Sequence, residues 1–297
     1  MSSEEDKDKI LIIDEENNDV DIFGESLKED YQIMHYRSGM DALKEVCSGN
    51  HPDLIIIDLT NAAIDGLAVL RLLKADAKTC DIPTLFVSGD SSIDAEVDAF
   101  ASGVSDYLVK PVVIPVLKMK VENILRYAKL CAPIYQHLNQ CSLDLQDQAT
   151  AFHSQLPKQK IFLVDDSQAV ITEFEAILAD DYSLSTCDSG IDLAEKLSAE
   201  PPDLVLLDIM LPNITGYEIY KQLQDNAQTA AIPVVFVTAK SSWDQIIKGL
   251  SLGAIDYLTK PLNLNLAHAR VKHHIDQLIH LKFLRSLENE HPHSASL

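Results

Sequence analysis

The chain has 297 residues, 46% of them hydrophobic, which is enough for about two ordinary domains with separate cores. Its 24 basic and 46 acidic residues give a net charge of −22. This charge argues against a nucleic-acid partner and offers no basic patch to an anionic membrane. No apolar run approaches the roughly 18–20 residues of a membrane span, and the charged N-terminus lacks the apolar core of a secretory signal. We therefore expect a cytoplasmic protein without nucleic-acid or membrane partners.

Three segments of the first half have close counterparts in the second half. The pairs are KILIIDEENND (9–19) with KIFLVDDSQAV (160–170), IPTLFVSGDSS (82–92) with IPVVFVTAKSS (232–242), and SGVSDYLVKP (102–111) with LGAIDYLTKP (252–261). Each copy covers roughly 120 residues, far more than one unit of a solenoid repeat. The sequence therefore predicts two duplicated domains.

The elements of the second copy alternate between short β-branched runs and amphipathic stretches. Strands are predicted near 161–164, 182–186, 204–207, 234–238 and 256–259, and helices near 167–179, 190–199, 216–225, 242–252 and from 263 onward. Five β/α units of this length predict an α/β fold, in which a doubly wound parallel sheet of five strands has helices on both faces. Ligands of such sheets bind at the carboxyl ends of the strands.

Polar residues stand at these carboxyl ends. In the second copy they are Asp165, Asp166, Asp208, Thr238 and Lys260. Two carboxylates about 4 Å apart repel by about 4 kcal/mol at an effective dielectric near 20, so a cation must offset them. Carboxylates, a main-chain carbonyl and waters are ligands of Mg²⁺, and the lysine adds a second cation. A hydroxyl and an ammonium opposite the metal suit an incoming phosphoryl group, which predicts that Asp208 becomes an aspartyl phosphate.

Both copies resemble the receiver domains of bacterial two-component response regulators. The resemblance lies in an acidic pair, an aspartate after the third strand, a Ser or Thr after the fourth and Lys-Pro after the fifth. It extends over nearly the whole chain apart from the linker and the tail. It implies a flavodoxin-like receiver fold with strand order 2-1-3-4-5 in each copy.

The resemblance also implies a role for each matched residue. The phosphoacceptors would be Asp58 and Asp208. The Mg²⁺ ligands, direct or through water, would be Asp14, Glu15, Asp58 and Thr60 in the first copy and Asp165, Asp166, Asp208 and Met210 in the second. Ser88 and Thr238 would hold a phosphoryl oxygen, Lys110 and Lys260 would pair with it, and Tyr107 and Tyr257 would be switch residues. The family also implies cis peptide bonds at Lys110–Pro111 and Lys260–Pro261.

Simpler interpretations exist for some of these residues. An aspartate that ends a strand is often only a turn or helix cap, although four matched positions that occur twice favour a site. The two tyrosines could be ordinary half-buried packing residues. The first copy departs from the family pattern at Glu15, which puts its metal affinity in doubt because Mg²⁺ requires near-ideal octahedral distances.

No separate metal site is suggested by the remaining candidate ligands. The five cysteines lack C-x-x-C spacing, which argues against a zinc site and against a disulfide framework. The histidines near the C-terminus lack the H-E-x-x-H pattern and are predicted to lie on a solvated helix face. They are His268, His273, His274 and His280.

The sequence between the copies predicts a helical linker. We expect a first receiver over 1–127, the linker over 128–157, a second receiver with an extended last helix over 158–285, and a polar tail over 286–297. A heptad-like seam of mainly apolar residues runs from Leu117 to Phe152, and Pro133 should kink or divide its helix. The seam could pack within the chain or form a homodimer, and the last helix offers a second possible dimer contact.

The residues are compatible with two functions and argue against a third. The first is a signalling protein without an output domain and without enzymatic activity on other substrates. It would receive phosphoryl groups from a histidine kinase or phosphotransfer protein and bind a downstream protein target. The second is the regulatory half of a larger output enzyme such as a diguanylate cyclase. The third, an aspartate-dependent phosphatase of the haloacid-dehalogenase type, needs a second aspartate where this chain has Thr60 and Met210, and is set aside.

Overall fold

The computed structural model describes residues 7–14, 17–59, 65–138, 142–190, 193–239 and 243–290. These residues fall into two compact units, one within Met1–Ser154 and Ile279–Leu297 and the other within Gln155–Leu278. The boundary between the units therefore lies inside the last helix. The domain bounds given above remain a prediction.

The first unit contains a sheet of five parallel strands. The strands are β1 (Lys9–Ile13), β2 (Gln32–Tyr36), β3 (Leu54–Asp58), β4 (Thr84–Ser88) and β5 (Asp106–Val109). Its described helices are α1 (Asn17–Leu27), α2 (Gly39–Cys47), α3 (Gly66–Ala75), α4 (Ile93–Ala101), α5 (Ile114–Leu138) and α6 (Ser142–Gln155). The sheet order is β2-β1-β3-β4-β5, as the resemblance implied.

The second unit repeats this arrangement. Its strands are β6 (Lys160–Val164), β7 (Ser183–Cys187), β8 (Leu204–Asp208), β9 (Val234–Ala239) and β10 (Asp256–Lys260). Its helices are α7 (Gln168–Leu178), α8 (Leu193–Ala199), α9 (Gly216–Gln224), α10 (Trp243–Ser251) and the part of α11 (Leu264–Glu290) up to Leu278. The sheet order β7-β6-β8-β9-β10 again corresponds to 2-1-3-4-5, and the predicted α/β fold class is confirmed.

Burial explains why the central strands are the most apolar ones. Every residue of β3, β4 and β8 is buried, because helices cover both faces of a parallel sheet. The edge strands β2 and β7 are only partly buried and carry polar residues on their exposed face. An aspartate that ends a central strand is thus held by a rigid, buried β-run.

Gly216 lets α9 begin directly against the end of β8. A Cβ atom at this position would lie 2.3 Å from the main-chain oxygen of Asp208, which no larger residue tolerates. The N–H of Gly216 donates instead to the carbonyl of Ile209 at 3.0 Å. Thr215 and Glu218 form a capping box at the same helix end, which fixes the chain just beyond Asp208.

Of the two outcomes expected at Pro133, a kink or a division of the helix, the structure excludes the division. Helix α5 continues through Pro133 to Leu138, so Pro133 does not divide it. Seam residues Leu117, Val121, Cys131 and Leu145 are buried within the single chain, which favours the intrachain alternative over a dimer seam.

Packing explains how α5 tolerates the proline. Within the first unit, Cys131 and Ile134 pack with Leu281 and Leu284 in one apolar cluster. Cys131 and Ile134 stand on either side of Pro133, so packing holds the helix at both ends of the turn where a proline removes a hydrogen bond.

Among the described helices, not one combines the length and apolar character that a membrane crossing needs.

Candidate functional site

The carboxyl ends of β6, β8, β9 and β10 bring the predicted residues of the second unit together. Asp165 is fully buried after β6, and Asp208 is buried at the end of β8. Thr238 is buried near the end of β9, and Lys260 is the last residue of β10. The Lys260–Pro261 peptide bond is cis, as is Lys110–Pro111, which confirms both predictions.

One ammonium group joins two of the carboxylates. The Nζ atom of Lys260 lies 2.7 Å from Oδ2 of Asp165 and 2.6 Å from Oδ2 of Asp208. The Lys260 side chain is 25% exposed, whereas the aspartate side chains are 0% and 5% exposed. The ion pairs are therefore shielded from water on the carboxylate side, where a charge interaction is stronger than at the surface.

The surroundings raise the pKa values of both Asp165 and Lys260. Burial raises the pKa of Asp165, the nearby charge of Asp208 raises it further, and hydrogen bonds from Lys260 and the Ser167 N–H oppose the rise. Burial alone would lower the pKa of Lys260, but the hydrogen bonds and charges of both aspartates outweigh burial and raise it. The site therefore favours a cation between its carboxylates.

The donor set of the second unit fits a magnesium ion. Oxygen atoms of Asp165, Asp166 and Asp208 lie within 4.8 Å of one another. Octahedral Mg²⁺ has ligands at about 2.0–2.1 Å, so opposite ligands are about 4 Å apart and small side-chain adjustments suffice. Asp166 is exposed, which leaves room for the water molecules that Mg²⁺ usually keeps.

The residues around Asp208 also fix its orientation. The Met210 N–H donates to Oδ1 of Asp208 at 3.0 Å, while the Met210 side chain is 62% exposed. Oδ1 is thus held by the main chain and Oδ2 by Lys260. The Asp208 carboxylate therefore cannot rotate freely, and a fixed orientation favours its attack on a group that approaches from one direction.

The first unit brings together the corresponding residues that the structure describes. Asp14, Asp58 and Ser88 are buried, and Nζ of Lys110 lies 2.5 Å from Oδ2 of Asp58. The predicted ligands Glu15 and Thr60 lie outside the described residues. The aspartate–lysine pair is therefore common to both units.

The two candidate switch tyrosines differ. Tyr107 is 1% exposed, and its hydroxyl donates to the carbonyl of Asp90 at 3.0 Å. Burial raises the pKa of Tyr107, a hydrogen bond with Ser88 opposes the rise, and the charges of Asp90 and Glu96 add to it. Tyr257 is only partly buried. The tyrosine of the first unit thus contacts the loop after β4.

Sequence reasoning missed a buried acid–base pair in each unit. Lys120 on α5 pairs with Asp106 at the start of β5. In the second unit Arg270 lies 2.8 Å from Asp256. In both units the base follows the acid by 14 residues, and this shared spacing is the signal that could have revealed the pairs.

The prediction of a solvated helix face is wrong for His274 and His280, and the Nε2 atom of His273 is also buried. His274 is 9% exposed, and its Nε2 lies 3.0 Å from the Asp256 carboxylate. His280 is half-buried and contacts the Tyr135 hydroxyl, and burial lowers its pKa. His268 is more exposed and lies 2.9 Å from Asp181. His274 and His280 therefore belong to packed helix faces.

Comparison with known proteins identifies the repeated site. The family described as response regulator receiver domain matches the chain twice, at residues 10–122 and 161–272, and these stretches make up more than half of its length. The chain belongs to this family. Both units are receiver domains.

Individual relatives agree with the family match. The response regulator PleD of Caulobacter vibrioides is 25% identical over 280 residues, which are 94% of this chain and 61% of PleD. The alkaline phosphatase synthesis transcriptional regulatory protein PhoP of Bacillus subtilis is 38% identical over 115 residues, which are 38% of this chain and 47% of PhoP. The chain thus spans about half or slightly more of the length of these two relatives.

A solved receiver structure is also similar. The BeF3-activated DrrB receiver domain is 31% identical, with a TM-score of 0.37, and the alignment covers 40% of this chain and 99% of DrrB. Receivers bind Mg²⁺ at their acidic site in general. The tandem arrangement of this chain is matched by PleD, whose alignment includes both receivers.

Proposed function

We propose that the chain is a phosphorelay response regulator that receives phosphoryl groups on Asp58 and Asp208 and signals through contacts with a downstream protein. The donor would be a histidine kinase or a phosphotransfer protein. The observation that carries the proposal is the Asp208 carboxylate, which is held by Lys260 and a main-chain N–H beside Asp165 and Asp166. No activity on other substrates is proposed.

The transfer step follows from this arrangement. A carboxylate oxygen of Asp208 attacks the phosphorus of a phosphohistidine, a P–O bond forms, and the P–N bond to the donor imidazole breaks. The imidazole leaves with the electron pair of the broken bond. Lys260 pairs with the negative phosphoryl oxygens, and the Thr238 hydroxyl donates to one of them. Lys110 and Ser88 would do the same at Asp58.

The metal has a separate role. When bound, Mg²⁺ neutralises charge on the phosphoryl oxygens and on the carboxylates around them. Asp165, Asp166 and the carbonyl of Met210 would hold it in the second receiver, and Asp14, Glu15 and the carbonyl of Thr60 in the first. Tyr107 and Tyr257 would respond to the phosphoryl group as switch residues.

The test is phosphorylation of the full chain with acetyl phosphate and Mg²⁺, followed by intact-mass measurement. We expect up to two added phosphoryl groups in the wild type, and one fewer in each of Asp58→Asn and Asp208→Asn. The double variant should gain none. Phosphoryl groups on the double variant, or none on the wild type, would contradict the proposal.

Magnesium should also stabilise each receiver. At a hundred times its dissociation constant, a ligand that binds only the folded state raises the free energy of unfolding by about 2.7 kcal/mol per site. Asp166→Ala should reduce this gain in the second receiver, and Glu15→Ala should reduce it less in the first. Thermal unfolding in EDTA and in millimolar Mg²⁺ measures the gain.

Asp180→Ala is the matched control for the magnesium experiment. Asp180 is exposed and follows α7, so its removal changes the net charge equally without touching the acidic site. It should leave the Mg²⁺ response at the wild-type value. Identical unfolding in EDTA and in Mg²⁺ for the wild type would show that the acidic residues bind no metal.

A second candidate is that the two receivers regulate a longer protein with an output enzyme, such as a diguanylate cyclase. The observation that favours it is the PleD alignment, which covers 94% of this chain but 61% of PleD. Reading the gene beyond codon 297 would decide between the two candidates.

A further inference from the structure

The hydroxyl of Thr238 is already engaged in the second receiver. Thr238 is 1% exposed, and its Oγ1 donates to Oε1 of Gln245 at 2.9 Å. The other end of the same amide, Nε2, lies 3.5 Å from Sδ of Met210. Gln245 on α10 therefore bridges Thr238 near the end of β9 and Met210, which follows Asp208 and β8.

Gln245 is also tied to a neighbouring helix. The hydroxyl of Tyr217 on α9 donates to the main-chain carbonyl of Gln245 at 2.8 Å. The ammonium of Lys248 lies 4.3 Å from the centre of the Tyr217 ring, in a cation–π contact. A movement of Gln245 would therefore disturb the contact between α9 and α10.

We propose that Gln245 is a positioning residue that holds the Thr238 hydroxyl until Asp208 is phosphorylated. This inference rests on the proposed function. A threonine hydroxyl has one proton, so it donates either to Gln245 or to a phosphoryl oxygen, but not fully to both. The Gln245 bond stabilises the unphosphorylated state, and its loss on phosphorylation frees the start of α10.

The first receiver provides an internal comparison. The residue seven positions after Ser88 is Ala95, whereas Gln245 is seven positions after Thr238. An alanine side chain accepts no hydrogen bond. In the first receiver the Asp90 N–H donates to Oγ of Ser88 at 3.0 Å, and Tyr107 holds the Asp90 carbonyl. The Ser88 hydroxyl also has a hydrogen bond with Tyr107, so the hydroxyls of Ser88 and Thr238 have different partners in the two receivers.

The experiment uses beryllofluoride with Mg²⁺ as a stable stand-in for the phosphoryl group. The full chain carries Asp58→Asn so that binding at Asp208 is observed alone. The single tryptophan, Trp243, is the first residue of α10 and 46% exposed, so its fluorescence reports on the start of this helix. The measured quantities are the dissociation constants of beryllofluoride and of Mg²⁺ alone.

Two substitutions separate the hydrogen bond from packing. Gln245→Met keeps the side-chain length but removes the acceptor, and should bind beryllofluoride roughly two- to tenfold more tightly, the range of one net hydrogen bond. Gln245→Glu keeps an acceptor and should bind no more tightly than the wild type. Gln245→Met adds no charge and should leave the Mg²⁺ dissociation constant unchanged, whereas a general disturbance of the site would change it. The added charge of Gln245→Glu can alter Mg²⁺ binding, so only its beryllofluoride affinity at saturating Mg²⁺ is compared.

The reciprocal substitution tests the same idea in the first receiver. Ala95→Gln, in a chain with Asp208→Asn, introduces the acceptor at the position that corresponds to Gln245. It should slow phosphorylation of Asp58 by acetyl phosphate by a similar factor, roughly two- to tenfold, as measured by intact mass. Ala95→Met is the control of equal length and should leave the rate unchanged.

The outcomes test the role of Gln245 and the proposed function separately. Equal beryllofluoride affinity in Gln245→Met and the wild type, or equal tightening in Gln245→Glu, would overturn the role of Gln245. A wild-type chain that binds neither beryllofluoride nor phosphoryl groups would instead overturn the proposed function. Tighter binding in Gln245→Met alone, with unchanged Mg²⁺ affinity, would support both.

Discussion

Replacing Lys120 by methionine should destabilise the first receiver by about 3–5 kcal/mol. The Lys120 side chain is 0% exposed and the Asp106 side chain is 10% exposed, so the substitution leaves a buried carboxylate without this cation. The loss of a charged partner costs more than the pair itself contributes, because the remaining charge has already lost its water. Asp106 is the first residue of β5, so the uncompensated charge acts on this strand.

The second receiver should tolerate the equivalent change better. Asp256 has two cationic or potentially cationic neighbours, Arg270 at 2.8 Å and His274 at 3.0 Å. After Arg270→Met the imidazole can still donate to the carboxylate, so we expect a loss of about 1–3 kcal/mol. The position in the first receiver that corresponds to His274 is Ile124, which cannot donate a hydrogen bond to Asp106 when Lys120 is replaced.

Hydrogen exchange measured by mass spectrometry on the full chain would report each receiver separately. Lys129→Met is the control, because Lys129 is 62% exposed in its pair with Asp8 and should contribute about 0–1 kcal/mol. A combined Lys120→Met and Asp106→Leu variant should recover much of the loss, since no charge is then buried. Equal effects of the Lys120 and Arg270 substitutions would argue against compensation by His274.

The strands of the second receiver and the polar residues at their carboxyl ends could be predicted from the sequence because each depends on local patterns. Apolar runs such as Leu204–Leu207 indicate buried strands, and Asp208 follows immediately. The structure moves the predicted strand ends by about one residue, the usual uncertainty of a helix or strand end. The strand order came from the resemblance, since no local pattern specifies which strands are neighbours.

Tertiary contacts explain what the sequence did not reveal. In the sequence, His274 lies among polar residues and is indistinguishable from a residue on a solvated helix face. Its partner Asp256 is 18 residues earlier, and only the folding of α11 onto β10 brings the two side chains together. The continuity of α5 at Pro133 likewise depends on packing with Leu281 and Leu284, which are distant in sequence. Gln245 has no recognisable signal beyond its difference from Ala95.

Replacing Lys260 by methionine should slow phosphorylation of Asp208 by about 10²- to 10³-fold, the usual cost of removing one preorganised charge stabiliser. Its ammonium lies within 2.7 Å of both Asp165 and Asp208, and among the described residues of this receiver no other lysine or arginine forms an ion pair with either aspartate. The measurement is the rate of acetyl phosphate labelling in the Asp58→Asn chain. Lys272→Met, a 53% exposed residue on α11, is the matched control.

The magnesium affinity of the same variant separates charge from folding. In the wild type, Mg²⁺ enters a site whose carboxylates already share the Lys260 ammonium, and the two cations repel each other. Without Lys260, Mg²⁺ becomes the cation that offsets Asp165 and Asp208, so its binding should be at least as tight as in the wild type. Slow phosphorylation with intact Mg²⁺ binding would assign to Lys260 a direct role toward the phosphoryl group. A parallel loss of both would instead mean that Lys260 only keeps the acidic residues folded together.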